Sequence, residues 1–456
     1  MTTPDTAFDL CGPLPRGTWS LEASAGTGKT HTIAALLTRY LAEGLANWQQ
    51  FAVVTFSRSA AGELSGRIRE RLRQSVRILR ETLASGKPAG LDEVDDLLAS
   101  ASPQELRIRL ERLESGLAQL DSFQIGTIHE FCAAMLTELG VLARADARAT
   151  LVEDFGILRG QVVQDVYLRR YATAAEPPFN LETADQLGKA VLSVPDALIV
   201  PADGVGKVAE RVGFAEDVRT AMSARKRQLG VYGHDDQLLR LRDSVSGTGA
   251  ESARKRLRDR YRVVFVDEFQ DTDPIQWEIL RTCFHGHSTL ILIGDPKQAI
   301  YTFRGADVST YLAATGQADE QRSLLVNYRS DRQMVEGLNT IFHNALLGER
   351  IGVPAVTTRQ QEPRITGVAA AIRLRCVDSA KPLGIAAARQ AITADLVAQV
   401  SALLADAQLS AVDGWRGLRG SDIAVLVRSN SSGRLIAKAL TEAGVPVAFS
   451  GVDSVF

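Results

Sequence analysis

Five short strand-like runs, most of them continuous rather than alternating with polar residues, constrain this chain more than any other feature. They are "TWSLEAS" (18–24), "FAVVTF" (51–56), "SFQIGTIH" (122–129), "VVFVDEF" (263–269) and "LILIGD" (290–295). A strand with one wet face alternates, whereas a strand covered on both faces reads as a continuous apolar run. Helical stripes stand between the runs. Ile33, Leu37, Tyr40 and Leu41 recur at helical spacing after the first run, and Ala61, Leu64, Ile68, Leu72 and Leu79 after the second. This alternation predicts an α/β fold with an open, mostly parallel sheet.

One stretch breaks the alternation. Residues 146–255 hold helical patterns and a looser "YATAAEPPFN" (171–180), with "DALIVP" as the only strand-like run. They read as a mostly helical insertion that divides a first α/β domain into segments 1–145 and 256–322. From "SLLVNYRS" onward, residues 323–456 read as the start of a second, incomplete α/β domain. Its expected strands are "AAIRLRCV" (370–377), "DIAVLVRS" (422–429) and "VPVAFSG" (445–451).

Composition sets the surroundings. No apolar run among the 456 residues reaches the ~18–20 needed to cross a bilayer, and "MTTPDTAFDLCGPLPRG" does not read as a signal peptide. Cys11, Cys132, Cys283 and Cys376 lie far apart without a CxxC pair, which suits a reducing compartment. A cytoplasmic, membrane-free protein is expected. The net charge of −2 argues against a nucleic-acid partner, yet "RIRERLRQSVRILR" (67–80) and "RKRLRDRYR" (254–262) are strongly basic. Each is either a local binding surface or a solvated helix face.

The first run feeds "ASAGTGKT", which in turn opens the helix "THTIAALLTRYL". Small residues at a strand-to-helix turn let a polyphosphate approach the helix N-terminus, where N–H groups and the dipole favour an anion. Ala23, Ser24, Ala25, Gly26, Thr27, Gly28, Lys29 and Thr30 then form the cradle. Lys29 is placed for the β- and γ-phosphates and Thr30 for Mg²⁺. Ala23 stands where the P-loop pattern has glycine, so an ordinary glycine-rich turn remains the alternative.

Hydrolysis also needs acids on a neighbouring strand. "VVFVDEFQDTDP" places Asp267 to hold Mg²⁺ and Glu268 to activate water. The next helix has Asp273 as N-cap, Pro274 at the first position and Gln276 completing a capping box. In "LILIGDPKQAIYTFRGAD", Gln298 is placed to sense the γ-phosphate. Tyr301, Phe303 and Arg304 read as a base-stacking platform or, alternatively, as core residues. Cys283, His285 and His287 in "CFHGHS" lack a fourth ligand and read as structural.

Taken in order, "ASAGTGKT", "VVTFSRSAAGEL", "GTIHEFC", "DEFQDTDPIQ", "IGDPKQAIYTFRGAD" and "VNYRS" resemble the UvrD-like helicases. The wording "EASAGTGKT" and "DPKQAIY" is most similar to the exonuclease V branch of that family. The resemblance implies RecA-like motor domains with ATP and Mg²⁺ between them and single-stranded DNA across the top. It gives Arg329 a γ-phosphate role and Tyr328 an adenine-stacking role. It places Phe56, Thr127 and His129 against DNA, beside Tyr301, Phe303 and Arg304. It further implies 3′→5′ helicase activity on duplex ends in double-strand break repair, with RecC- and RecD-like partner subunits.

The chain departs from that family in three ways. No adenine-reading glutamine is evident in "TAFDLCGPLPRG". "TIHKSKG"-like and "YVALTR"-like motifs are absent, as is a nuclease "DYK" site. A natural truncation or a fragment of a longer protein is therefore expected, binding ATP but hydrolysing it slowly, without nuclease activity. The alternatives are a free-standing UvrD-like helicase and a non-catalytic ATP- and DNA-binding module.

Overall fold

The apolar runs become strands covered on both faces. The computed structural model describes residues 7–87, 90–120, 123–143, 149–194, 196–247, 249–300, 307–348, 350–379 and 381–449. The chain divides into two compact units after Leu324. The first unit begins with β1 (Thr18–Ala23), α1 (Lys29–Ala42), β2 (Phe51–Thr55), α2 (Arg58–Ser85), α3 (Glu93–Ala99), α4 (Pro103–Ala118), β3 (Gln124–Thr127) and α5 (Ile128–Leu139). It continues with β4 (Thr150–Leu151), α6 (Gly156–Tyr171), α7 (Leu181–Ser193), α8 (Lys207–Leu229), β5 (Val231–Tyr232), α9 (His234–Ser246) and α10 (Glu251–Arg260). It ends with β6 (Val263–Val266), α11 (Pro274–Phe284), β7 (Thr289–Gly294), α12 (Val308–Gly316) and β8 (Glu320–Leu324).

Six strands pair in parallel in the order β3-β2-β6-β7-β1-β8. Successive residues point to opposite faces. Phe51, Val53, Val263, Phe265, Ile291 and Ile293 join one core with helices α1 to α4. Their neighbours Ala52, Val54, Val264, Val266, Leu290 and Leu292 join the other with α5 and α9 to α11. Two dry faces explain why the runs do not alternate.

Helix α1 is buried from Thr32 to Ala42. Each of its large aliphatic side chains contributes about 1.5–3 kcal/mol on burial, which anchors the helix so that its first residue, Lys29, stands at the sheet's C-terminal edge. Helices α6, α7 and α8 share a separate core around Val163, Phe214 and Val218. Helix α9 and the first half of α10 fall inside the stretch read from sequence as an insertion, yet Leu238, Leu241 and Ala253 pack on the second sheet face. "DALIVP" forms no strand. Strand β8 takes in Ser323 and Leu324, which the sequence reading gave to the second domain, and pairs them with β1.

In the second unit, β9 (Val326–Asn327) pairs with Thr357–Thr358. A three-stranded antiparallel sheet links Ile365–Thr366, Gln408–Ala411 and Gly414–Gly417. The segments "AAIRLRCV", "DIAVLVRS" and "VPVAFSG" join no ladder among the described residues, contrary to expectation. Leu374 is 86% exposed and Leu426 95% exposed. An apolar run becomes a strand only where a neighbouring strand satisfies its backbone, and these segments have none here. Val400, Leu440 and Val445 form a small buried cluster in this unit. Heating is therefore expected to melt this unit first. Limited proteolysis at rising temperature, with cuts after residue 325 preceding cuts before it, checks this.

Candidate functional site

Parallel strands send all their outgoing loops to one edge, the usual place for ligands in open α/β sheets. Here β1 delivers residues 24–28, β2 delivers Phe56, and β6 delivers Asp267 and Glu268. At the same edge β7 delivers Asp295 and the turn Pro296–Gln298.

The cradle has the shape that phosphate needs. Gly26 and Gly28 have φ of 81° and 86°, the left-handed region that side chains disfavour. The buried Thr27 hydroxyl donates to the Ser24 carbonyl at 2.7 Å and closes the loop from inside. Gly28 caps α1 without a side-chain hydrogen bond, and no acidic residue sits in the first turn. The first N–H groups of a helix have no intrahelical partner, so this N-terminus has the chemistry to accept an anion. Ala23 ends β1 outside the left-handed region, so the missing glycine costs the turn nothing.

Lys29 Nζ lies 2.7 Å from Glu268 Oε2, across the edge from α1 to the end of β6. Glu268 holds φ 51° and ψ 42°. That is uncommon backbone for a side-chain-bearing residue and turns the carboxylate toward the lysine. Asp267 Oδ1, Asp271 Oδ1 and Thr55 Oγ1 are buried without a hydrogen-bond partner among the described residues. All three residues line one cleft with Phe56 and Glu268. Orphaned buried polar atoms that converge in this way call for a ligand. The oxygen set suits a hydrated Mg²⁺. Among the described residues no three His, Cys, Asp or Glu side chains converge as a metal cage. Magnesium asks for none, since it is held mostly by phosphates and water with one or two protein oxygens. Thr55 and Asp271 escaped the sequence reading, because a buried unsatisfied atom leaves no local motif.

Burial, with Glu268 beside it, pushes Asp267 up to about 6 against the opposing pull of Lys29. The same causes push Asp271 up to about 6. Between the usual carboxylate value and 6, the folded chain keeps protons that the unfolded chain has released. Stability is therefore expected to fall as pH rises from about 4 to about 6, by at most about 1.4 kcal/mol per pH unit for Asp267 and by less for the more exposed, solvent-screened Asp271. Urea unfolding across that window checks it, and Asp271→Asn should flatten the slope.

The other expected residues fall into three groups. Gln298 sits after β7, its amide donating to Asp295 Oδ2 at 2.8 Å. Thr127 and His129 stand at the start of α5. The Thr127 hydroxyl accepts the Glu130 N–H in a capping box. The His129 ring lies 4.8 Å from that of His234. Burial first, then His234, pushes His129 down to about 4, so the ring carries no charge at neutral pH. Tyr328 and Arg329 belong to the second unit, where Tyr328 is exposed and the Asn327 side chain accepts the Arg329 N–H at 2.8 Å. Tyr301, Phe303 and Arg304 lie outside the described residues. His285 Nδ1 is bonded to the Thr18 hydroxyl at 2.8 Å and Cys283 is buried, as a structural reading requires. Arg73, Arg77 and Arg80 of α2 are exposed along a groove beside α4.

Comparison with known proteins adds the following. Residues 11–319 match the family model for the UvrD/REP helicase N-terminal domain. The RecBCD enzyme subunit RecB of Mycobacterium tuberculosis is 40% identical over 464 residues, covering 98% of this chain and 42% of that protein. The RecB subunit of Mycolicibacterium smegmatis is 39% identical with the same coverage. That of Escherichia coli K12 is 28% identical over 99% of this chain and 49% of its own length. The chain thus spans about two fifths to one half of these curated relatives. No helix among the described residues is long and apolar enough to cross a membrane.

Proposed function

The chain belongs to the UvrD/REP helicase family, and from that premise we propose that it is the ATP-driven 3′→5′ DNA motor of a RecB-type helicase–nuclease. The observation that carries this reading is the 2.7 Å pairing of Lys29 with Glu268 over three unsatisfied buried oxygens. A lysine held by a carboxylate is a cation in waiting. On nucleotide binding Lys29 leaves Glu268 for the β- and γ-phosphates, and the freed carboxylate takes a proton from the attacking water. Thr30 and Asp267 would hold Mg²⁺, which would neutralise phosphate charge when bound. Gln298 reads the γ-phosphate. Arg329 and Tyr328 keep the phosphate and adenine roles that the family resemblance implies.

On the DNA side the family resemblance implies that Phe56, Thr127 and His129 contact the strand, as it does for Tyr301, Phe303 and Arg304. Stacking and backbone contacts make binding tolerant of sequence and sensitive to salt. The relatives' name, RecBCD enzyme subunit RecB, supports RecC- and RecD-like partners, and a role at DNA double-strand ends rests on the family resemblance alone. Steady-state ATP hydrolysis with and without single-stranded DNA tests the motor. Slow, DNA-stimulated turnover that weakens with salt is expected of this chain, together with a preference for 3′-tailed over 5′-tailed DNA. Nucleotide binding without any turnover points instead to a binding module.

A further inference from the structure

One buried amide connects the two strand ends that make the nucleotide site. Gln270, 2% exposed, sits in the short turn Phe269–Asp271 after β6. Its Nε2 donates to Glu268 Oε2 at 2.8 Å, and its Oε1 accepts the Asp295 N–H at 3.0 Å. Asp295 follows β7 and is itself doubly used. Its Oδ2 accepts from Gln298 Nε2 at 2.8 Å, and its Oδ1 meets Lys297 Nζ at 2.7 Å. Lys297 also reaches Glu22 Oε1 at 2.6 Å, which fixes the turn against β1. A continuous hydrogen-bonded path therefore runs from Lys29 through Glu268, Gln270 and Asp295 to Gln298.

Gly294 shows how closely the amide is seated. A Cβ there would lie 2.7 Å from Gln270 Oε1 and 3.1 Å from the Gln270 backbone nitrogen. The φ of Gly294 is not positive, so glycine is needed at this position for space and not for backbone freedom. A buried polar group with both ends satisfied is rigid, and it is costly to leave half-satisfied. Of the two donors on Glu268 Oε2, Lys29 is the one that phosphate draws away. Gln270 is the one that stays.

We infer that Gln270 is a positioning residue: it holds the Glu268 carboxylate for attack by water and ties that orientation to the loop bearing Gln298. Carboxylate and sensor then move as one body, so a change at the γ-phosphate is felt at the base. The inference rests on the ATPase reading of the site.

The test compares Gln270→Met, Gln298→Ala, the double variant and Lys29→Ala in the whole chain. Each is assayed for ATP hydrolysis with and without single-stranded DNA, affinity for a fluorescent ATP analogue, and melting temperature. Gln270→Met should lower the DNA-stimulated rate by about 10–100-fold, the scale of a misplaced reacting group, with nucleotide affinity within about 3-fold of wild type. The double variant should be no slower than the slower single variant, because both break one path. An undiminished rate in Gln270→Met, or losses that multiply in the double variant, overturns the inference. Should Gln270→Met fail to fold, Gly294→Ala displaces the amide without removing it. It is expected to slow hydrolysis with nucleotide affinity kept, and a wild-type rate there overturns the inference equally. Lys29→Ala separates the two levels. If it hydrolyses like wild type, the ATPase reading itself fails. If it is inactive while Gln270→Met runs at full speed, only the role of Gln270 fails.

Discussion

Lys29→Ala is expected to abolish DNA-stimulated ATP hydrolysis, lowering turnover by about 10²–10³-fold, the usual loss when one charge-stabilising donor is removed from a reacting centre. The structure adds a second consequence. Lys29 is the cation that opposes the upward push on Asp267 and Asp271. Without it, Glu268, Asp267 and Asp271 stand together uncompensated. The pH window over which stability falls should then move upward in the variant. Turnover assays and urea melts on the same samples read both effects. Intact hydrolysis in the variant is incompatible with a phosphate-binding role for this lysine.

Glu268→Gln should divide two properties that most substitutions at a nucleotide site lose together. Hydrolysis should fall by about 10²–10⁴-fold, the range for removing a general base. Affinity for ATP should rise several-fold, because Lys29 no longer has to leave a carboxylate 2.7 Å away before it can meet phosphate. An ion pair at this depth, with Lys29 13% and Glu268 30% exposed, is worth on the order of 1 kcal/mol or more, and a factor of about ten in affinity corresponds to 1.4 kcal/mol. Equilibrium binding of a fluorescent ATP analogue and single-turnover hydrolysis decide it. Weakened binding would mean that Glu268 holds nucleotide and does not compete for Lys29.

Much of the sheet was legible because its strands are buried on both faces. Phe51 and Ala52, or Ile291 and Leu292, are consecutive apolar residues that serve two different cores. The capping box of Asp273 and Gln276 was legible for a different reason, its partners being three residues apart. Strand β8, "EQRSL", was not, because an edge strand with partly exposed residues carries no apolar run. The separation of α9 and α10 from the helical cluster was equally hidden, since helical periodicity does not say which core a stripe meets. At the site, Lys29, Asp267 and Glu268 were readable from local spacing. Gln270 was not, although it stands two residues from Glu268. Its meaning depends on the Asp295 backbone and on the absence of a side chain at Gly294. The pairing of His129 with His234 is of the same kind, visible only once α5 and α9 are side by side.

The strand order has a consequence for how the chain is made. β1 ends at residue 23 but lies between β7, which begins at residue 289, and β8, which begins at residue 320. At about 5–20 residues per second, a ribosome needs on the order of tens of seconds to supply those neighbours. Until then α1, which is buried along most of its length in the finished fold, has no sheet to cover it. Helices α6 to α8 are in a different position, because their shared core is drawn from residues close together in sequence. They can close while the sheet is still waiting. β1 and α1 are thus made well before the strands that shelter them. A nascent chain of this protein should depend on chaperones until β7 emerges.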